Sequence, residues 1–211
     1  MVYIQESYPG REDGSYTLLF GDEQIGSLIS AVHATSIRMG TELEHLITEL
    51  AQTIDSSNLE AFFNKTLLPG VYVLPKKTMR DKRLRFDQQP DIIVVNVTQN
   101  SCKIIEIKLG NQFDTKKSAG EVENLKRYAD KLNRATTYRV SYAICMWNAK
   151  TKAEVVIGFK NTISPAEALT GAEFCQMVGI AYGAINDRIA QNQAANRLFL
   201  FQKVHELQGR Y

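Results

Sequence analysis

The sequence predicts an α/β fold: a mixed β-sheet flanked by helices, with a C-terminal helical extension. Three observations carry this. Two apolar runs, 92–95 and 102–109, flank a polar stretch of turn-forming residues at 98–101, which is the pattern of a β-hairpin. The runs are apolar at successive positions, as strands buried on both faces are. Helical periodicities lie before and after the hairpin, and a long helical pattern follows Pro165.

The elements follow in order. Residues 1–35 have no decisive period, and helical and extended segments both remain open there. Leu43, Leu46, Ile47, Leu50 and Ile54 follow helical spacing behind Thr41, a fair N-cap, and predict a helix over 41–54. Glu44 lies at the edge of its apolar face; it suits the helix dipole as a first-turn acid, and it can also look partly inward. Residues 71–74 read as a short strand, followed by a basic loop and the hairpin. After a polar connection over 111–117, Ser118 and Glu121 have the spacing of a capping box. They predict a helix whose buried stripe is Val122, Leu125, Ala129 and Leu132. Residues 138–147 and 153–159 read as two more strands, with a turn around 148–150. From Pro165 the pattern is helical, with a break near Gly183 and a last helix over 196–207. The expectation is a single domain over 1–211, with a core over about 38–160 and C-terminal helices over about 165–208.

Composition narrows the function classes. The chain has 211 residues, 44% hydrophobic and 23% charged, ordinary for a globular protein. Its net charge of +2 announces no partner, but the distribution does more. Lys76, Lys77, Arg80, Lys82, Arg83 and Arg85 crowd one segment with the single acid Asp81. Such a run is either a solvated loop or a surface for a polyphosphate. Cys102, Cys145 and Cys175 are odd in number and widely spaced, which fits buried reduced thiols and not a disulfide framework or zinc site. No run approaches membrane-spanning length, and the start lacks a basic-then-apolar signal. A cytoplasmic protein, with no membrane partner, is expected. His33, His45 and His205 form no metalloprotease pair and no triad, and no glycine-rich phosphate loop occurs.

The hairpin carries the chemistry. Pro90-Asp91 heads the first run, and Glu106-Ile107-Lys108 closes the second. With the turn centred on Gln99 and Asn100, Asp91 faces Lys108 and Ile93 faces Glu106. Opposed residues share a face, as do residues two apart on one strand. Asp91, Glu106 and Lys108 therefore converge, with Asp91 and Glu106 diagonal neighbours roughly 7–8 Å apart at the backbone. A slip of one residue would separate Asp91 from the others. A Glu-x-Lys alone is ordinary strand surface. Charged groups set into a buried run carry a desolvation cost, and that points to a functional site.

These residues resemble the catalytic signature of the PD-(D/E)XK nuclease superfamily: Pro90-Asp91, a variable gap, then Glu106-Ile107-Lys108. The order of elements is similar to that restriction-endonuclease-like core, over roughly residues 38–147. Residues 38–44 resemble the first-helix segment of many type II restriction enzymes, in which a Glu at the position of Glu44 assists the metal site. The stretch from Glu106 through Lys117 to Glu121 has the flavour of such enzymes after the catalytic strand. Asn124 and Tyr128 have the spacing of a Gln-x-x-x-Tyr element of some relatives, with Asn in place of Gln, and no function is carried onto them.

The resemblance implies a type II restriction endonuclease that hydrolyses double-stranded DNA at a short sequence and leaves 5′-phosphate ends. It implies Mg²⁺, or Mn²⁺ in its place, held by Asp91, Glu106 and the backbone carbonyl of Ile107. Carboxylate and carbonyl oxygens are the donors Mg²⁺ prefers. Lys108 would position or help deprotonate the attacking water and stabilise the transition state, and burial beside a metal would lower its pKa. Glu44 would support the water or a second ion. Lys76, Lys77, Arg80, Lys82, Arg83, Lys116 and Lys117 are candidates for phosphate contacts. Asp114 and Thr115 are either structural or near the site. A homodimer is expected, because a two-fold protein matches a two-fold site, and the C-terminal helices with Ala181, Tyr182, Ile185 and Ile189 could supply its contact or simply cover the sheet. Two alternatives stay open: a structure-specific or repair nuclease of the junction-resolving type on the same core, and a non-catalytic DNA-binding module.

Overall fold

The computed structural model describes residues 2–11, 14–86, 88–110 and 115–209, with Thr115 described by its backbone alone. The expected polar connection at 111–114, including Asp114, lies outside the described residues, as does the side chain of Thr115. The helices are α1 (Ser15–Phe20), α2 (Glu23–Leu50), α3 (Leu59–Phe63), α4 (Thr115–Ala135), α5 (Lys152–Gly158), α6 (Gly171–Val178), α7 (Tyr182–Ala190) and α8 (Gln193–Gln208). The strands are β1 (Val71–Pro75), β2 (Ile92–Asn96), β3 (Ser101–Lys108), β4 (Arg139–Met146) and β5 (Ala168–Thr170). The chain gathers into two compact units: Met1–His45 with Gly183–Tyr211, and Leu46–Tyr182.

The first unit is helical. Ile4 N–H donates to Asn196 Oδ1 at 2.9 Å, and the Asn192 and Asn196 amides donate to the Val2 carbonyl, so the start of the chain lies against α8. On its other side Thr35 and Arg38 of α2 reach Ser7, and Arg38 pairs with Glu6 at 2.8 Å. α2 corrects the expected helix over 41–54. Asp22, not Thr41, satisfies the first N–H groups, accepting from Gln24 and Ile25 at 2.8 Å each. Leu28, Ala31 and Thr35 are buried along its first half, a stripe of small and polar residues that carries little hydrophobic signal. The helix ends at Leu50, and Ile54 instead donates its N–H to Val73 beyond the helix.

The second unit holds the sheet, in the order β1-β2-β3-β4-β5, with β1, β2 and β3 antiparallel and β3, β4 and β5 parallel. β3 is the central strand, with Cys102, Ile104 and Ile105 fully buried. Alternation puts Ile93, Val95, Cys102, Ile104, Ile144 and Met146 on one face, in a single core with Val122, Leu125, Ala129 and Leu132 of α4. The predicted stripe of that helix is therefore its packed face. Cys102, Cys145 and Cys175 are buried and free.

Four further expectations are corrected. The hairpin loop spans Val97 to Asn100: Gln99 N–H bonds to the Asn96 side chain, and Asn100 takes the left-handed conformation at φ +50°. The turn centre thus falls one residue earlier, and Ile92 pairs with Ile105. Continuing that ladder by one step sets Asp91 opposite Glu106 instead of Lys108. The shift in pairing is two residues, so the face is preserved.

Residues 152–158 form helix α5, not a strand. Thr151 caps it by accepting from Glu154 N–H, and Val155 and Phe159, four apart, are buried while Ile157 between them is exposed. A strand would have put all three on one side. A helix here also supplies the crossover that parallel β4 and β5 require. Ser118 and Glu121 form no capping box, because α4 already begins at Thr115 and Ser118 is buried within it. Lastly, the C-terminal break is at Gly179, which closes α6 at φ +73°, while Gly183 lies inside α7 and α8 begins at Gln193.

Candidate active site at the end of the central strand

Asp91, Glu106 and Lys108 meet on the face of the sheet that α4 covers. Pro90 lacks an N–H and β2 starts only at Ile92, so the Asp91 side chain takes over the ladder partner of Ile107: its Oδ2 accepts that N–H at 2.8 Å. In a strand the N–H and C=O of one residue point to the same edge, so the Ile107 carbonyl faces the edge where Asp91 lies. Asp91 is almost wholly buried, and its Oδ1 accepts from Lys76 Nζ at 3.1 Å. Lys76, predicted as a phosphate contact, is a counter-ion of the acid here.

Lys108 Nζ donates to Glu106 Oε1 at 2.7 Å and to Glu121 Oε1 at 3.0 Å. Burial pushes the Glu106 carboxyl up, and the negative Asp91 pushes it further, to about 7 against the pull of Lys108. Burial alone would lower the Lys108 ammonium, but the charge and hydrogen bond of Glu106, joined by Glu121, outweigh it and hold Lys108 well above its usual range. The expectation of a lowered lysine concerns the site with a metal bound; without one, the carboxylates prevail. The cluster sets three carboxylates against two ammonium groups, so it carries an excess of buried negative charge.

Glu121 was hidden in the sequence by its resemblance to a capping residue. The signal that finds it is the helical face: Glu121, Asn124, Leu125 and Tyr128 follow i, i+3, i+4, i+7 spacing. Leu125 and Tyr128 are buried, so the two polar residues of that face point inward. All four, with Gln88, Gln89, Pro90 and Glu106, line a cavity of about 270 Å³. The Tyr128 hydroxyl donates to Leu84 at 2.8 Å and fixes the helix against the basic loop.

That cavity adjoins basic surface. Gln89 also borders a groove lined by Lys76, Arg80, Arg85 and Phe86. Phe86 in turn borders a second groove with Arg127, Lys131 and Arg134. Lys77, Lys82, Lys116 and Lys117 are exposed. Arg83 is committed elsewhere: it pairs with Asp81 at 2.9 Å and Glu60 at 2.8 Å and lies 4.0 Å over the Phe63 ring. Glu44 sits half-buried on α2 and belongs to the helical unit, while Asp91, Glu106 and Lys108 belong to the sheet unit. Ile185 is buried, and Tyr182 packs on Trp147 with ring centroids 5.3 Å apart, so two residues of the proposed dimer stripe are internal.

Known proteins supply the class. The chain belongs to the type II restriction enzymes and is a DNA endonuclease, a hydrolase. It is 35% identical over 210 residues to the type II restriction enzyme HhaII of Haemophilus parahaemolyticus, covering 94% of this chain and 92% of that enzyme. No family profile matches the chain, and no solved structure does. Among the described residues, no helix is long and apolar enough to cross a membrane.

Proposed function

We propose that this restriction endonuclease cleaves double-stranded DNA at a short recognition sequence in a Mg²⁺-dependent reaction of the PD-(D/E)XK type, with Asp91, Glu106 and Lys108 at its centre. The observation that carries the reading is the convergence of Asp91 on Ile107 N–H and of Lys108 on Glu106 at the end of one strand. The donor set fits a hard cation: two carboxylates and the Ile107 carbonyl at one edge, with unbalanced negative charge between them. Among the described residues no group of three acids, imidazoles or thiols is placed to hold an ion, so Asp91, Glu106 and the Ile107 carbonyl would leave positions for water and phosphate oxygens, as Mg²⁺ prefers. Mn²⁺ substitutes for it.

When bound, the ion neutralises charge on the scissile phosphate and acidifies water. Asp91 and Glu106 hold it. Lys108, held by its carboxylates, would orient or help deprotonate the attacking water and stabilise the charge that builds on the phosphorane oxygens. Water attacks phosphorus in line with the 3′ oxygen, which leaves, giving a 5′-phosphate and a 3′-hydroxyl. Glu44 supports the water or a second ion from α2. Lys76, Lys77, Arg80, Lys82, Lys116 and Lys117 contact phosphates, and Arg83 braces the loop that carries several of them. Two copies act as a homodimer on a two-fold site. The protein works in the bacterial cytoplasm.

Digestion of a sequenced plasmid with Mg²⁺, followed by end sequencing, tests this. Discrete fragments with 5′-phosphates at one repeated sequence are expected. Asp91→Ala and Lys108→Ala abolish cutting while retaining duplex binding in Ca²⁺. Unchanged cutting in either variant removes the assigned site.

A further inference from the structure

We propose that Glu121 is the positioning residue for Lys108: a carboxylate supplied by α4 that keeps the ammonium at the reaction centre once Glu106 is engaged with the metal. The inference rests on the reading of Lys108 given above and concerns a residue outside the acid-x-lysine signature.

The geometry begins with a competition. Lys108 has three N–H donors, and two of them go to Glu106 Oε1 at 2.7 Å and Glu121 Oε1 at 3.0 Å. Glu106 has a second claim on it. It lies beside Asp91, with which it would share a divalent ion. A cation there would draw on the same carboxylate that now holds the lysine at 2.7 Å, and it would repel the ammonium, because both groups of that pair are largely buried. A long side chain anchored by Glu106 alone would swing away from the metal side. Glu121 is free of that conflict. It reaches Lys108 from a different element, and it forms no three-carboxylate cluster with Asp91 and Glu106 capable of holding an ion.

The platform under Glu121 is rigid. One turn and two turns along its face, Leu125 and Tyr128 are buried in the core. The Tyr128 hydroxyl is tied to the Leu84 carbonyl, and its ring meets Phe86 edge-on with centroids 6.2 Å apart. A carboxylate on such a base fixes where Lys108 sits, and the third lysine N–H remains for a phosphate oxygen or the attacking water. Groups that orient a reacting side chain typically contribute about 10- to 100-fold to activity.

The test compares Glu121→Ala, Glu121→Gln and Lys108→Ala in the full-length protein. For Glu121→Ala, single-turnover cleavage falls about 10- to 100-fold, while duplex affinity in Ca²⁺, KM for DNA and Mn²⁺ affinity by calorimetry stay at wild-type values. Glu121→Gln, which keeps an acceptor oxygen, recovers most of the rate. If Glu121→Ala does not fold, the same measurements on Glu121→Gln decide: a modest loss in turnover with intact metal and DNA binding is required. Weakened Mn²⁺ binding makes Glu121 a metal ligand and overturns the proposal. Wild-type turnover in Glu121→Ala overturns it too. If Lys108→Ala itself cleaves normally, the underlying reading of Lys108 fails first, and that outcome is separate from the other two.

Discussion

Two ionic clusters lie in the sheet unit, and they are built on opposite terms. Around Arg83, one guanidinium meets Asp81 and Glu60 while resting on Phe63; Glu60 is largely exposed, and water screens what remains. Around Lys108, two lysines meet three carboxylates on a buried edge of the sheet. In the first, the hydrogen bonds that Arg83 donates to Asp81, then Glu60, raise Arg83, and the one that Asp81 accepts lowers Asp81, so each group is more comfortable charged. In the second, burial and Asp91 make Glu106 resist its charge, and the protein carries that cost in its resting state. The loop cluster is a brace that is complete in itself. The strand cluster keeps an unbalanced acid, which the cation of the proposed function would relieve. That asymmetry separates a structural ion pair from a site.

The largest expected effect breaks the second cluster's charge excess. Glu106 is an acid whose folded pKa is raised, to about 7 from an ordinary 4.5. The folded state therefore binds its proton more tightly than the unfolded chain does. Stability is unaffected below the ordinary value, falls as pH rises between 4.5 and about 7, and the full cost, up to about 3 kcal/mol, is present above that. Glu106→Gln removes it. In metal-free buffer the variant should melt higher than wild type at pH 8, with the gain vanishing by pH 4. Adding Mg²⁺ at pH 8 should raise the wild-type midpoint and leave the variant's unchanged. A variant that melts lower than wild type at pH 8 would mean that Glu106 is a net stabilising partner of Lys108, and the contrast between the two clusters would collapse.

The chemistry of this cluster was legible in the sequence before its geometry was. Asp91, Glu106 and Lys108 share a face for the period-2 reason that the sequence supplies, and the two-residue error in pairing did not disturb it, since only an odd slip changes faces. The error came from the loop. Nothing local in 97–101 distinguishes a turn centred on Thr98 and Gln99 from one centred a residue later, until Asn96 is seen to cap Gln99 and Asn100 to adopt the left-handed conformation. Residues 153–159 were misread for a different cause. Val155, Ile157 and Phe159 satisfy a strand's alternation, and only tertiary burial shows that Ile157 faces outward. The start of α2 was invisible because Ser27, Ala31 and Thr35 are buried without being strongly hydrophobic. Glu121 and Lys76 were present in the sequence, but their pairings cross elements and no local pattern shows them: Glu121 has the spacing of a helix cap, and nothing near Lys76 signals its contact with Asp91.

Lys76 sharpens the same contrast at smaller scale. Its ammonium lies 3.1 Å from Asp91 Oδ1 on a half-exposed side chain, so it competes with any cation for that oxygen at modest strength. Lys76→Met should tighten Ca²⁺ binding to the free protein several-fold by calorimetry and weaken duplex binding through loss of a positive charge. The two effects have opposite signs, so a mere loss of folding cannot mimic them. Unchanged Ca²⁺ affinity would show that Lys76 leaves Asp91 at no cost.

Arg83 is where the smallest effect is expected, and this is what makes it the control. The guanidinium touches Asp81, Glu60 and Phe63, none of which is a partner of the acid–lysine cluster. Its contacts are exposed enough for water to replace most of them. Arg83→Met keeps an apolar stem over Phe63 and should shift the thermal midpoint by only a few degrees, with turnover and Mn²⁺ affinity close to wild type. Its salt dependence of DNA binding should also be unchanged, because a guanidinium already held by two carboxylates releases few counterions from the duplex. A shallower salt slope in Arg83→Met would mean that the brace opens and lends its charge to phosphate. Arg83 would then rejoin the groove formed by Arg127, Lys131 and Arg134, whose wall it shares.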